Sequence, residues 1–171
     1  MALVFQYGSN TSSSRLNSDD RLRSDATDRG LVCTEDSFEL DFDVWSTCND
    51  CAAADIRSGR GRPIWGVLYD VPDYLISRET AGSRRSLDAI EGSKYGRRPI
   101  RIRWPNGTPV AGDVITYTVL SPEYGLRTSV EYASHIIAGL KEHDAPNEYL
   151  AYVKERVIAN NPDLATKMDS L

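Results

Sequence analysis

Short apolar runs punctuated by polar turns organise the first two thirds of the chain, and helical spacing organises the last third. Ala2 to Gln6 is an apolar run of the buried-strand kind, interrupted by Tyr7-Gly8-Ser9-Asn10. Thr11 to Ser24 is polar, anchored by Leu16 and Leu22, and predicts a short helix capped by one of its serines. Phe38, Leu40, Phe42 and Val44 alternate with Glu39, Asp41 and Asp43, which predicts a strand with one wet face. Ile64 to Val71 is nearly continuous in apolar residues and predicts a central strand, ended by Pro72, after which Asp73 to Ile76 begins a helical stretch. Leu87 and Ile90, three apart, predict a short helix just before Glu91-Gly92, where glycine suits a helix C-terminus. Ile100 and Ile102 alternate with Arg101 and Arg103, Asn106-Gly107 is a hairpin signal, and Val114 to Leu120 is the expected returning strand.

The C-terminal third reads as helix. Val130, Ala133, Ile136, Ile137 and Leu140 fall at helical spacing. Pro146 suits the first turn of a second helix, with Tyr149, Leu150, Val153 and Val157 on its buried face. Residues 161–171 read as a frayed tail. Thr47 to Pro63 carries no periodicity and reads as a mobile surface loop. Strands come first and helices mostly last, so the fold class is α+β, in a single domain over residues 1–160.

With 171 residues the chain can bury a core without staples. A net charge of −5 argues against a dedicated nucleic-acid binder, which shows a basic footprint. No apolar run approaches the ~18 residues of a membrane span. The N-terminus lacks the basic and long apolar regions of a signal peptide, so a cytoplasmic location is expected. Three cysteines make an odd count, which argues against a disulfide framework. Cys48 and Cys51 have the spacing of half a zinc site, but His135 and His143 lie far off, so no metal and no cofactor is expected. The Arg57 to Arg62 cluster could hold a phosphate or simply be a solvated loop; no phosphate-loop or dinucleotide pattern accompanies it.

Familiar catalytic sets are missing: no His-Glu-x-x-His, no Gly-x-Ser-x-Gly. Two features remain. Tyr7-Gly8-Ser9-Asn10 is a glycine-containing turn between a strand and a helix. It is either a plain capped turn or a nest of N–H groups for a carboxylate or an oxyanion. Glu91 stands at the border of an apolar helix face. It is either a solvated residue before a glycine cap or a partly desolvated carboxylate, tuned upward for acid/base work.

Taken in order, several segments resemble the gamma-glutamylcyclotransferase-like family. They are Tyr7-Gly8-Ser9-Asn10, Trp65-Gly66-Val67-Leu68-Tyr69, Leu87-Asp88-Ala89-Ile90-Glu91-Gly92, the set Tyr95, Arg97, Ile100 and Ile102, and the set Tyr132, Ile136, Ile137 and Gly139, which Pro146 and Tyr149 extend. The likeness spans roughly residues 3 to 155. Thr11 departs from it, standing where leucine usually follows the loop, and the 47–63 insert is no hallmark of the family. The resemblance implies a small mixed β-barrel with flanking helices. It also implies cyclisation of a gamma-glutamyl amine, amino acid or peptide to 5-oxoproline, with Glu91 as acid/base. Gly8, Ser9 and Asn10 would cradle the substrate, and Tyr7, Tyr95 and Tyr132 would wall its pocket. The partner implied is a small gamma-glutamyl molecule; the oligomeric state stays open, a homodimer included. A lyase for a specialised gamma-glutamyl metabolite, read at a pocket rim such as Arg57–Arg62, and a non-enzymatic binding module are the competing readings.

Overall fold

A computed structural model of the chain describes residues 1–59 and 61–171. Strand β1, Ala2–Gln6, sends Val4 and Phe5 to opposite faces because strand side chains alternate. It pairs antiparallel with β5, Trp65–Val71, with Val4 opposite Tyr69, and parallel with β8, Val114–Val119. Strands β2 (Thr27–Thr34), β6 (Tyr95–Pro99) and β7 (Ile102–Arg103) complete a six-stranded mixed sheet in the order β6-β8-β1-β5-β2-β7. Strands β3 (Phe38–Ser46) and β4 (Cys51–Ser58) form a separate hairpin. The large sheet curls into a half-barrel, and the hairpin lies inside the curl. Two bonds fasten them: the Tyr95 hydroxyl donates to the Ala54 carbonyl (2.7 Å), and the Val119 N–H donates to Asp55 Oδ1 (2.9 Å).

Helices flank this α+β core as expected. They are α1 (Ser13–Leu16), α2 (Leu87–Glu91), α3 (Val130–Glu142), α4 (Asn147–Asn160) and α5 (Ala165–Met168). The α3 apolar stripe, Ala133, Ile136, Ile137 and Leu140, is buried against Phe5, Phe42 and Leu68. Each of its isoleucine and leucine side chains contributes about 1.5–3 kcal/mol on burial. Ser129 caps α3 by accepting from the Tyr132 N–H at 3.1 Å, and such a cap is worth about 1 kcal/mol. No helix among the described residues is long and apolar enough to cross a membrane.

Several expectations are corrected. The supposed loop 47–63 contains β4, whose residues Cys51 to Ile56 are all buried. Its Cys-Ala-Ala-Ala-Asp-Ile run is covered on both faces, so it has no alternation to display. Arg57 and Arg62 do not form one basic patch: Arg57 pairs with Asp41, and Arg62 stacks over the Tyr152 ring at 4.9 Å. Arg60, also in that cluster, lies outside the described residues. Val114–Val119 is not the partner of the Ile102 strand; it pairs with β6 and β1, while the Asn106-Gly107 turn returns only as far as Pro109 and Val110. The helix expected over 11–24 shrinks to the single turn α1, preceded by a 3-10 turn at Ser9–Thr11. The expected tail is anchored, because Leu164 and Met168 are buried in the main core. Asp43, expected on a wet face, is buried, since the β3 register shifts between Phe42 and Val44 and turns it inward.

Candidate active site

Glu91 ends the one-turn helix α2, and two local features fix it there. Ser86 caps the helix start by accepting from the Ala89 N–H (3.2 Å), and Gly92 leaves it at φ 92°. Leu87 is fully buried and pins the turn to the sheet. The Glu91 carboxylate is half-buried. Its Oε1 accepts from the Gln6 side-chain amide at 2.9 Å and from the Asn10 side-chain amide at 3.0 Å. Oε2 has no hydrogen-bond partner among the described residues and is left to the cleft. Burial pushes the carboxyl above its ordinary range, while the two amides and then Arg21 pull against that rise. A carboxylate so placed is suited to exchanging a proton near neutral pH.

The cleft has a volume of about 280 Å³. Glu91 and Tyr95 lie on one side, and Val44 to Asn49, the turn of the β3–β4 hairpin, on the other. The opening loop comes to Glu91 from behind. Asn10 is buried, bonds Glu91 through its amide nitrogen, and accepts from Arg21 through its oxygen at 2.8 Å. Ser9 is buried, and Gly8 keeps some exposed surface. The Gly8 and Ser9 N–H groups donate to no acceptor among the described residues, as a nest for an anion requires. Gly8 packs against the hairpin and α3: a Cβ on it would lie 3.3 Å from the Tyr132 hydroxyl and 3.6 Å from the Ala54 methyl.

The three tyrosines divide. The Tyr95 hydroxyl donates to the Ala54 carbonyl, and the Tyr132 hydroxyl accepts from the Ala54 N–H at 3.0 Å, so the pair clasps one residue of β4. The Tyr7 hydroxyl is turned away, donating to the Tyr117 carbonyl at 2.6 Å. Burial raises all three phenols, which keeps them protonated. Thus Glu91 and Tyr95 meet at the cleft, Asn10 joins the acid to the loop, and Tyr7, Ser9 and Tyr132 stand behind. Sequence reasoning missed Gln6 and Arg21. A polar side chain at the end of an otherwise apolar strand was the one available signal for Gln6. None of the described residues of the Arg57–Arg62 segment lines the cleft; the turn around Trp45 to Asn49 does. Among the described residues no group of three or more His, Cys, Asp and Glu side chains is placed to hold a metal ion, and Cys33, Cys48 and Cys51 are free.

No family model matches the chain, and no curated protein matches it in sequence. Solved structures match it in shape. One, named gamma-glutamyl cyclotransferase, superposes with a TM-score of 0.73 at 22% identity, covering 90% of this chain and 86% of that one. An uncharacterized human protein gives 0.71 at 25% identity over 90% of this chain and 86% of its own. YkqA from Bacillus subtilis gives 0.70 at 19% identity; the match covers 91% of this chain and 54% of that longer one. Together with the curled mixed sheet and its flanking helices, these likenesses establish that the chain has the gamma-glutamyl cyclotransferase fold.

Proposed function

We propose that the chain is a gamma-glutamyl cyclotransferase that closes a gamma-glutamyl amide to 5-oxoproline and releases the free amine. The observation that carries this reading is the half-buried Glu91 carboxylate, one oxygen held by Gln6 and Asn10 and the other open to a cleft. The substrate's own α-amine is the nucleophile, so no serine, cysteine or metal nucleophile is called for. Glu91 takes a proton from the α-ammonium. The freed amine attacks the γ-carbonyl, the new N–C bond closes the ring, and the old C–N bond breaks. Glu91 passes that proton to the departing nitrogen. It then takes the second proton, which the ring nitrogen sheds as it becomes the lactam N–H, and yields it to the released amine, so both protons lost by the α-ammonium leave on the product. The Gly8 and Ser9 N–H groups supply the oxyanion contacts, each typically worth about 3–4 kcal/mol. Folding the glutamyl chain into an attacking shape contributes about 7–11 kcal/mol more.

None of Gly8, Ser9 and Asn10 lines the cleft, so a substrate at Glu91 meets those N–H groups only where the cleft opens toward the loop. The same separation of the loop from the cleft supports a second reading, a non-enzymatic binding module with an altered cavity. Glu91→Gln decides between them. It keeps the Oε1 acceptor for Gln6 and Asn10 and removes only the titrating proton. The fold should persist by circular dichroism, and 5-oxoproline release from gamma-glutamyl compounds should fall by about 10²–10⁴-fold. Normal turnover in that variant would remove Glu91 from the chemistry, and no 5-oxoproline from the unmodified protein across such compounds would favour the binding module.

A further inference from the structure

Beside the Glu91 cleft lies a second depression of about 440 Å³, lined by Arg15, Ser12, Ser14, Ser18 and His135. Asp20, Arg21, Cys48 and Asn49 line both, so the two share a wall. The second depression carries two guanidiniums, Arg15 and Arg21, against the one carboxylate of Asp20. Neither Arg15 nor Arg21 has a carboxylate within ion-pair distance among the described residues. Arg15 gives one guanidinium nitrogen to Asn49 Oδ1 at 2.7 Å, and its Nε is buried with no partner. A buried donor of this kind is costly to leave unmet, and an anionic acceptor meets it best. Asp20, the carboxylate of this wall, is exposed and turned to the Ser18 hydroxyl at 2.6 Å. Burial lowers Arg21, and the neighbouring Arg15 lowers it further; burial and then the same two guanidiniums hold His135 down. Glu91 and Asp20 pull Arg21 the other way without reversing its shift.

The spacing relates this region to the acid. Arg21 donates to Asn10 Oδ1 at 2.8 Å, and Asn10 donates to Glu91 Oε1 at 3.0 Å. One side-chain amide therefore separates the guanidinium from the Glu91 carboxylate. A single amino acid, with its amine at Glu91 and its carboxylate at Arg21, spans a gap of that size. We propose that Arg15 and Arg21 form an anion subsite for the leaving amine, which selects gamma-glutamyl compounds whose amine carries a carboxylate over neutral or cationic amines. This rests on the cyclotransferase reading.

The test compares gamma-glutamyl-alanine, its C-terminal amide and gamma-glutamyl-putrescine. Turnover is measured with the unmodified protein, and binding by calorimetry to the Glu91→Gln protein, with and without Arg15→Gln. The carboxylate compound should be preferred about tenfold or more over the amide in both assays, about 1.4 kcal/mol. Arg15→Gln should bring the ratio to within about twofold, with putrescine the poorest ligand for the protein retaining Arg15. Carboxylate-dependent binding without turnover of any compound would leave the subsite standing and overturn the cyclotransferase reading. Turnover with a ratio near one, a preference for putrescine, or a preference that survives Arg15→Gln would overturn the subsite and leave the reaction. Should Arg15→Gln fail to fold, the ratio in the unmodified protein and its loss in Arg21→Gln decide. Binding of none of the three would overturn both.

Discussion

Three carboxylates among the described residues, Glu91, Asp43 and Asp55, are pushed upward by burial, and the first two have contrasting surroundings. Glu91 is relieved by two amide donors and opens on a cleft. Removing one donor should push it further up, because a hydrogen bond to the charged form favours that form. Gln6→Leu is therefore expected to move the acidic limb of the kcat/KM profile about one pH unit higher, equivalent to about 1.4 kcal/mol. A pH profile identical to that of the unmodified protein would show that Gln6 does not tune the acid. Asp43 has no such relief. Neither of its oxygens has a hydrogen-bond partner among the described residues, and Arg57 Nε stands 3.6 Å away. Burial, and then the neighbouring Asp55, raise its carboxyl from 3.8 to about 6. The folded value exceeds the unfolded one, so its contribution is fully present below pH ~4 and is lost as pH rises through about 6. Asp43→Asn should thus stabilise the protein by roughly 1–3 kcal/mol at pH 8 and by little at pH 4. Urea denaturation at the two pH values reads this directly; a gain equal at both would mean the effect is not titration.

At the scale of elements, the site depends on how closely α3 seats against the opening loop. A Cβ on Gly139 would lie 2.3 Å from the Ser12 nitrogen and 2.4 Å from the Thr11 carbonyl carbon, both main-chain atoms that cannot swing aside. Gly139→Ala is expected to cost on the order of 3 kcal/mol by forcing the helix and the loop apart. A thermal midpoint unchanged within error would show that the helix moves freely. Such close seating was legible only as a glycine in a spaced motif. Elements with one wet face, or a long apolar stripe, could be read directly: β3 from Phe38 to Phe42, β5, α3 and α4. Three strands, β2, β4 and β6, could not. β2 begins with exposed Thr27, Asp28 and Arg29 and shifts register at Gly30 (φ 105°), so its apolar part, Leu31 to Cys33, is too short to register. β4 is buried on both faces by small residues and one aspartate, which resemble a loop. Glu91 could be found from its helix border and the spacing around it. Gln6 and Arg21 reach the site across 85 and, through Asn10, 11 residues of chain, a proximity that only the folded sheet creates.

Across the whole molecule, the six-stranded sheet separates two cores. Phe5 and Leu68 face the hairpin, α3 and α4, while Val4, Val67 and Tyr69 face Leu16, Leu22, Leu75 and Leu87. Glu91 hangs from the second core, whereas Ala54 and Tyr132, which border Gly8, belong to the first. The site therefore lies on the seam where the chain leaves β1 and passes between the two. Damage on either side should lower stability alike, yet only damage to the anchor of α2 should displace the acid. Leu87 and Leu40 are both fully buried, the first beneath Glu91 and the second on β3, where its N–H and carbonyl bond Tyr152 and Arg156 of α4. Each Leu→Ala change is expected to cost about 2–5 kcal/mol. Assayed at a temperature where both variants remain folded, Leu87→Ala should lose cyclisation at least tenfold, and Leu40→Ala should keep most of it. Equal losses would mean that the two cores act as one body and that α2 does not position the acid independently.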